Sequence, residues 1–197
     1  RDRTLNRTLA MKIIHQEFLQ KHKVTSRFIE EAQIGAQLQH PNIVPIHDLG
    51  ELPDGRFYFT MKEIHGREFT DLIQEVHDAS TELTWKPSPE GTTFRRLIQI
   101  FHTMCETIAF SHSLGVIHRD LKPENVMIGD FGEVLVVDWG IAKIMGHSTE
   151  ETETTVQISV SNAYQTQMGS VAGTPAYMAP EQARGQVDLI DERTDVY

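Results

Sequence analysis

Residues 118–125 read HRDLKPEN, and residues 138–140 read DWG directly after the apolar run 134–137. The first stretch places an aspartate, a lysine and an asparagine close together, and the second adds another aspartate across a turn. Carboxylate and amide oxygens are ligands that Mg²⁺ prefers, and a nearby lysine can neutralise phosphate charge. These two stretches therefore predict a site that moves a phosphoryl group with Mg²⁺.

Composition limits the class of protein. The chain has 197 residues, 39% of them hydrophobic, which suffices for one large domain or two small ones. A formal net charge of −10 argues against a nucleic-acid groove, which needs clustered Lys and Arg. The single cysteine, Cys105, excludes an internal disulfide and predicts a small core residue in a reducing, cytoplasmic setting. No run of residues is long enough for a membrane span, although an anchor elsewhere in a longer protein stays open.

The first part of the chain predicts a strand, a helix and a hairpin. Alternating apolar residues indicate the strand, which carries Lys12. Pro41 ends the helix, because a proline pushes the preceding residue out of the α region. Pro53 and Gly55 supply the turn of the hairpin. The predicted elements are a strand at 8–14, a helix at 26–39, and strands at 43–46 and 56–64.

The rest of the chain predicts a helix-rich part that contains one hairpin. Residues 78–93 hold two prolines and a glycine and indicate a loop or insertion. Residues 146–168 are polar and rich in hydroxyl groups, which is typical of a mobile loop. The predicted elements are helices at 68–77 and 93–114 and strands at 125–128 and 134–137. The longer helix carries an apolar stripe that predicts core packing, formed by Phe94, Leu97, Ile98, Phe101, Met104, Cys105 and Ile108.

Glu31 is an unusual residue in the first predicted helix. Helical spacing places it on the apolar face with Phe28, Ile34 and Leu38, whereas its neighbour Glu30 faces away from that stripe. A carboxylate on an apolar face is costly unless it is paired. Lys12 on the preceding strand is the partner that we predict.

Taken in order, these motifs resemble those of Ser/Thr protein kinases, most closely the bacterial members. The matching stretches are AMK at 10–12, HRDLKPEN at 118–125, DWG at 138–140, APE at 179–181, and DVY at 195–197 as the start of a further helix. The resemblance implies an α+β, two-lobe protein-kinase-like fold, incomplete at both ends. Residues 1–64 would form part of the N-lobe, with strand 3, helix C, strands 4 and 5 and the start of the hinge. Residues 65–197 would form part of the C-lobe, with the catalytic loop, metal motif, activation segment and start of helix F.

The resemblance also implies roles for individual residues. Lys12, held by Glu31, would bind the α and β phosphates of ATP. Asp120 would orient the substrate hydroxyl, and Lys122 would neutralise charge on the γ phosphate, as in family members that act on Ser and Thr. Asn125 and Asp138 would bind Mg²⁺. By contrast, the predicted role of His118 is that of a buried structural residue.

Adenine recognition is less visible, because it uses backbone groups that any side chain can accompany. The resemblance makes Met61 the gatekeeper residue at the rear of the nucleotide pocket. Main-chain groups of Lys62 and Ile64 would bond to the base. Ala10 and Met127 would lie on either side of the ring, and both also fit as ordinary core residues.

The resemblance also implies a regulatory role for Arg119. In this family, an arginine directly before the aspartate of the loop goes with an activation loop that is ordered by a phosphate. An arginine can bind that phosphate with two hydrogen bonds. The candidate acceptors are Thr166 and Ser170, just before the stretch 173–175. A second candidate is the cluster Thr152, Thr154 and Thr155. A loop that is simply solvated explains the same composition.

The sequence departs from the family pattern in several places. Trp139 stands where the family usually has Phe, and the activation segment is longer than usual. The glycine-rich loop expected before Lys12 is absent, and the chain stops at Tyr197, early in a helix that should be central to the C-lobe. We therefore expect an internal fragment of a longer kinase.

The function implied is transfer of the γ phosphate of MgATP to Ser and Thr hydroxyls of proteins, including the activation loop itself. The expected partners are ATP and protein substrates, with no nucleic acid and no membrane segment in this chain. Two alternatives stay open, namely a pseudokinase or docking module without turnover, and an inactive fragment of a kinase. A small-molecule phosphotransferase of related fold is disfavoured by Lys122 and by the stretch 173–181, which would dock a peptide.

Overall fold

The structure is a computed structural model that describes residues 1–145, 156 and 172–197. It combines short antiparallel sheets with helices, as a mixed α+β chain. The strands are β1 (Leu9–Ile13), β2 (Ile46–Glu51), β3 (Phe57–Lys62), β4 (Gly66–Glu68), β5 (Val116–Ile117), β6 (Val126–Gly129), β7 (Val134–Val136) and β8 (Lys143–Ile144). The helices are α1 (His22–Gln37), α2 (Phe69–Ala79), α3 (Phe94–Ser113) and α4 (Pro180–Ala183).

The first sheet has the order β1-β3-β2, with antiparallel neighbours. The predicted turn between β2 and β3 is confirmed: the N–H of Leu52 donates to the carbonyl of Arg56, and Gly55 has a φ of 85°, which favours glycine. The strand predicted at 43–46 is wrong, because β2 begins only at Ile46. Pro45 has no N–H to donate to a ladder, so the strand begins after it, although the carbonyl of Pro45 accepts the N–H of Lys62.

Helix α1 packs against this sheet through a small apolar core. Its members are Ile14, Phe28, Ala32 and Phe59, all buried. In the β1–β3 register Lys12 lies opposite Phe59, and directly opposed residues point to the same face of a sheet. The lysine therefore stands on the face that α1 covers.

The larger core lies between α3 and the second sheet, which has the order β4-β6-β7. Helix α3 begins with the hydroxyl of Thr93 accepting the N–H of Arg96, and Gly115 follows it with a φ of 74°. The apolar stripe predicted for this helix is only partly right. Its buried members are Leu97, Met104 and Ile108, joined by Ile100, while Phe94, Ile98, Phe101 and Cys105 are exposed.

The two parts are joined where the chain leaves α1. The side chain of Asn42 donates to the carbonyl of Val134, and the carbonyl of Asn42 accepts the N–H of Val136. Ile43 forms an isolated parallel bridge with Val136 and belongs to the larger core, which also takes in Ile34. The lobe boundary at residues 64 and 65 stays a prediction. Within the described parts of the chain, no helix is both long and apolar enough to cross a bilayer.

Candidate active site

The pair predicted from the sequence, Lys12 and Glu31, is present. The lysine Nζ lies 2.6 Å and 2.8 Å from the two carboxylate oxygens, so both accept from it. The lysine side chain is 43% exposed and the glutamate side chain 13%, which leaves the ammonium open to a ligand. A charged donor fixed in this way suits the binding of phosphate oxygens.

Burial raises the pKa of Glu31 above its ordinary value. The positive charge of Lys12 and its hydrogen bond act in the opposite direction, and the nearby negative charge of Asp138 adds to the rise. A raised pKa means that the folded protein holds the ionised carboxylate at a cost, and that this cost is present at neutral pH. The ionised carboxylate of Glu31 therefore adds little to the stability of the fold at neutral pH.

Replacing Glu31 by glutamine should separate the contribution of the ion pair to ATP binding from its contribution to stability. The free energy of unfolding at pH 7 should stay level or increase by up to about 1 kcal/mol, because a buried charge is removed while Lys12 can still reach water. The KM for ATP should rise, because the ammonium is no longer held in place. Urea unfolding and steady-state kinetics measure the two effects, with Glu17→Gln, at an exposed position, as the control. A loss of about 3 kcal/mol or more would mean that the pair is structural.

Asp120 is held in one orientation by a residue far along the chain. Its Oδ1 accepts both the N–H of Thr174, at 2.7 Å, and the hydroxyl of Thr174, at 2.8 Å. The Nζ of Lys122 donates to the same hydroxyl at 2.7 Å and lies 3.4 Å from Asp120 Oδ2. These three side chains form one network whose carboxylate and ammonium sit side by side.

The hydrogen bonds from Thr174 favour the ionised form of Asp120. Partial burial raises the pKa of this carboxyl, but the bonds from Thr174 and the charge of Lys122 outweigh it and leave the pKa below its ordinary value of 3.8. Asp120 is thus ionised at neutral pH. An ionised carboxylate suits the orientation of a hydroxyl, which phosphoryl transfer needs more than a strong base.

Asn125 is tied directly to Asp120. Its Nδ2 donates to the backbone carbonyl of Asp120 at 2.8 Å and to Oδ2 at 3.3 Å. This leaves the amide oxygen of Asn125 as the atom suited to a metal ion.

Asp138 lies beside Asn125 at the base of the β6–β7 hairpin, where the N–H of Val137 donates to the carbonyl of Asn125. Asp138 is exposed and has a φ of 63°, in the left-handed region that a non-glycine residue seldom adopts. A Cβ added at Gly140 would lie 3.1 Å from Asp138 Oδ1 and 3.2 Å from Glu31 Oε2, so two carboxylates converge there.

The donor set fits Mg²⁺ rather than a metal that needs an all-protein cage. Within the described residues no group of three or more His, Cys, Asp or Glu could hold a metal by itself. Mg²⁺ commonly takes one or two protein oxygens and completes its shell with water and phosphate. One amide oxygen and one carboxylate, from Asn125 and Asp138, match that requirement.

His118 is fully buried, as predicted, and its ring is satisfied by the backbone. Its Nδ1 accepts the N–H of Asp120 at 3.3 Å, so the proton sits on Nε2, which donates to the carbonyl of Val137 at 3.1 Å. Burial lowers the pKa of the ring, which keeps it neutral. The ring packs against Trp139, with 4.6 Å between centroids. Trp139 is buried in the larger core, so the larger indole is accommodated there.

Asp195, predicted from the sequence only as the start of a further helix, holds the backbone that leads into Asp120. Its Oδ2 accepts the N–H of His118 at 2.8 Å, and its Oδ1 accepts the N–H of Arg119 at 2.7 Å. The ring of His112 on α3 completes the set, with Nε2 2.8 Å from Oδ2. Burial raises the pKa of Asp195, yet these hydrogen bonds outweigh it and lower the pKa below 3.8.

The residues predicted to bind adenine are partly brought together. Ala10 on β1 lies opposite Met61 on β3, so these two share a face of the first sheet. Lys62 ends β3, and Ile64 lies in the connection that follows. Met127 is on β6, in the second sheet. Their roles in binding ATP stay predictions.

Arg119 lies near charges of both signs. Burial lowers its pKa and the charge of Arg27 on α1 lowers it further, whereas the charge of Asp195 raises it. Lys143 is close enough to Arg119 for repulsion, after burial, to lower the lysine pKa as well. Arg27 and Lys143 were not predicted, since nothing local in the sequence marks them. The proposed phosphate acceptors, Thr166 and Ser170 and the cluster Thr152, Thr154 and Thr155, lie outside the described residues.

A sequence model of the protein kinase domain matches residues 1–197. The chain belongs to the protein kinase family. The resemblance predicted from the motifs is confirmed, and so is the mixed α+β fold class.

This kinase-family chain is also similar to several named bacterial proteins. It is 39% identical over 203 residues to the serine/threonine-protein kinase PknD of Protochlamydia amoebophila, covering 100% of this chain and 20% of that protein. It is 38% identical over 205 residues to PknD of Chlamydia trachomatis serovar L2b, covering 21% of it, and 34% identical over 199 residues to PknD of Chlamydia caviae. The chain therefore spans about a fifth of the length of the curated relatives that it matches.

Proposed function

We propose that the protein containing this chain is a Ser/Thr protein kinase that transfers the γ phosphate of MgATP to protein hydroxyls. The observation that carries the proposal is the network of Asp120, Lys122 and Thr174. It presents a carboxylate for a hydroxyl next to an ammonium for the transferred phosphate. The names of the PknD relatives agree with Ser and Thr as the acceptors.

In this proposal, each residue of the site has one task. Lys12, held by Glu31, binds the α and β phosphates of ATP, and the adenine lies near Ala10 and Met61. Lys62 and Ile64 offer backbone groups to the base, and Met127 borders the ring from the other side. Asn125 and Asp138 would hold Mg²⁺, which when bound neutralises charge on the phosphates. Asp120 orients the acceptor hydroxyl, and Lys122 stabilises the negative charge that develops on the transferred group.

Incubating the full-length protein with MgATP and a generic protein substrate tests the proposal. We expect ADP to form together with phosphoprotein in equal amounts. Nucleotide binding without transfer would favour the pseudokinase alternative. Transfer to a small molecule with none to protein would favour the small-molecule phosphotransferase.

We further propose that Arg119 contributes to a site for a phosphorylated residue of the activation segment, with Thr166 and Ser170 as first candidates. The support is that Arg119 feels the positive charge of Arg27, and Lys143 that of Arg119, although Asp195, Asp188 and Asp191 act in the opposite direction and the Lys143 ammonium donates to the carbonyls of Val187 and Ile190. A phosphate would add negative charge beside these cations. Phosphopeptide mapping after incubation with MgATP should locate label between residues 148 and 174. Label found only elsewhere in the protein would remove the loop-switch proposal and leave the loop as a solvated segment.

We propose that the protein works in the cytoplasm and acts on proteins. The single cysteine is consistent with a reducing cytoplasm, and the net charge of −10 is consistent with protein substrates rather than nucleic acid.

A further inference from the structure

Gln182 is a buried polar residue of α4 whose side chain joins three separate stretches of backbone. Only 2% of the residue is exposed. Its Nε2 donates to the carbonyl of Arg119 at 2.7 Å and to the carbonyl of Ala172 at 3.3 Å, while its Oε1 accepts the N–H of Ala179 at 3.1 Å. A primary amide has two donor hydrogens and an acceptor oxygen in one plane, so all three bonds form together.

One of these bonds holds a strained residue. Arg119 has a φ of 71°, a left-handed conformation that costs about 1–3 kcal/mol for a non-glycine residue and persists only where its surroundings impose it. Its N–H donates to Asp195 and its carbonyl accepts from Gln182. Both peptide groups of the residue that precedes Asp120 are therefore fixed, one by each of these side chains.

The second bond holds the stretch that carries Thr174. Ala172 comes two residues before Thr174, and Gly173 between them has a φ of 127°, which favours glycine. A Cβ added at Gly173 would lie 3.1 Å from the carbonyl of Arg119 and 3.3 Å from Gln182 Nε2. The two backbone stretches thus pass within contact distance of each other at the amide. Beyond this point Thr174 donates twice to Asp120.

We propose that Gln182 is a positioning residue for Asp120, an inference that rests on the proposed kinase function. By holding the carbonyl of Arg119 and the carbonyl of Ala172 on one amide, it sets the distance between Asp120 and Thr174. It touches neither substrate nor reacting atoms. Its action passes entirely through backbone on both sides of the Asp120–Thr174 contact.

The replacement Gln182→Glu tests this sharply, because it keeps the shape and the acceptor for Ala179 but changes the donors. A carboxyl buried against two carbonyl oxygens is protonated and offers one hydrogen where the amide offers two, so at least one of the two stretches should shift. We expect kcat of the full-length protein to fall by about 10- to 100-fold, since small misplacements of reacting groups reach about that size. The KM for ATP should change by less than about twofold, because Lys12 and β3 are not involved.

Two further variants separate positioning from folding. Gln182→Met, which has no hydrogen bonds but similar length, should lose kcat in the same way. Gln186→Glu makes the same replacement at an exposed position of the same stretch and should behave as wild type. Thermal unfolding of all three should stay cooperative.

Several outcomes would overturn the inference. One is a kcat of Gln182→Glu within about twofold of wild type. Another is a rise in the KM for ATP that accounts for the whole loss of kcat/KM. A third is the absence of cooperative unfolding in both Gln182 variants. The last would show a role in folding alone. An inactive wild-type protein would instead overturn the proposed kinase function itself, so the two failures are distinguishable.

Discussion

Replacing Asp120 by asparagine should lower kcat for phosphoryl transfer by about 10²- to 10⁴-fold, the range found for removal of a positioned acid–base group. The KM for ATP should change little, because Asp120 contacts Thr174, Lys122 and Asn125 and not the Lys12–Glu31 pair. Asparagine keeps the shape and one acceptor oxygen, so the hydrogen bonds from Thr174 can survive. What is lost is the ionised oxygen that orients the acceptor hydroxyl.

Steady-state kinetics with full-length protein at saturating MgATP measure this effect. Asp130→Asn is a matched control, because Asp130 is an exposed aspartate on the turn between β6 and β7. That variant should retain the wild-type rate. A rate for Asp120→Asn within a few-fold of wild type would mean that another group orients the hydroxyl.

Replacing Asp138 by alanine should remove the dependence of nucleotide binding on Mg²⁺ and lower transfer by about 10³-fold. A metal ion contributes several kcal/mol of charge stabilisation, and each 1.4 kcal/mol or so corresponds to about tenfold in rate. Asp138 is the only carboxylate of the two proposed ligands, so Asn125 alone should hold the ion poorly. Removal of the Asp138 charge should also relieve part of the rise in the pKa of Glu31.

Calorimetric titration with ATP, with and without Mg²⁺, distinguishes this loss from unfolding. The variant should bind ATP equally in both conditions, whereas wild type and Asp130→Ala should bind more tightly with Mg²⁺. Undiminished Mg²⁺-dependent binding by Asp138→Ala would show that the metal is held elsewhere.

The parts of the site that the sequence predicted well are those that are local. Asp120, Lys122 and Asn125 stand in one loop, and Asp138 follows a short hairpin, so spacing alone brings them together. The Lys12–Glu31 pair was also accessible, because a carboxylate on an apolar helix face requires a partner.

The contacts that hold this site together join residues distant in sequence, and these were missed. Asp120 and Thr174 are 54 residues apart, Asp195 and His118 are 77, and Gln182 and Arg119 are 63. No sequence pattern predicts which distant residue a hydroxyl or an amide side chain will bond to. The left-handed backbone at Arg119 and Asp138 was equally invisible, since tertiary contacts impose it against the residues' own preferences.

The fold, too, was predicted well where the signal is local and less well where tertiary packing decides. The turn at residues 52–55 follows from Pro and Gly chemistry. The limits predicted for α2 and α3 lie within two residues of those observed, whereas α1 begins at His22, four residues before its predicted start. Helix α3 was misjudged in detail, because apolar residues surround much of its circumference. Periodicity could not choose between the buried Ile100 and the exposed Phe101. Only the packing of α3 against the second sheet decides that face.

Phosphoamino acid analysis tests most directly the proposal that the protein containing this kinase-family chain transfers phosphate to Ser and Thr. The full-length protein is incubated with γ-labelled ATP, Mg²⁺ and a generic protein substrate, and the labelled protein is hydrolysed to its amino acids. We expect label on phosphoserine and phosphothreonine, in proportion to the ADP formed, and almost none when Asp120→Asn replaces wild type. Label on phosphotyrosine alone, equal label with the two proteins, or no transfer at all would contradict the account.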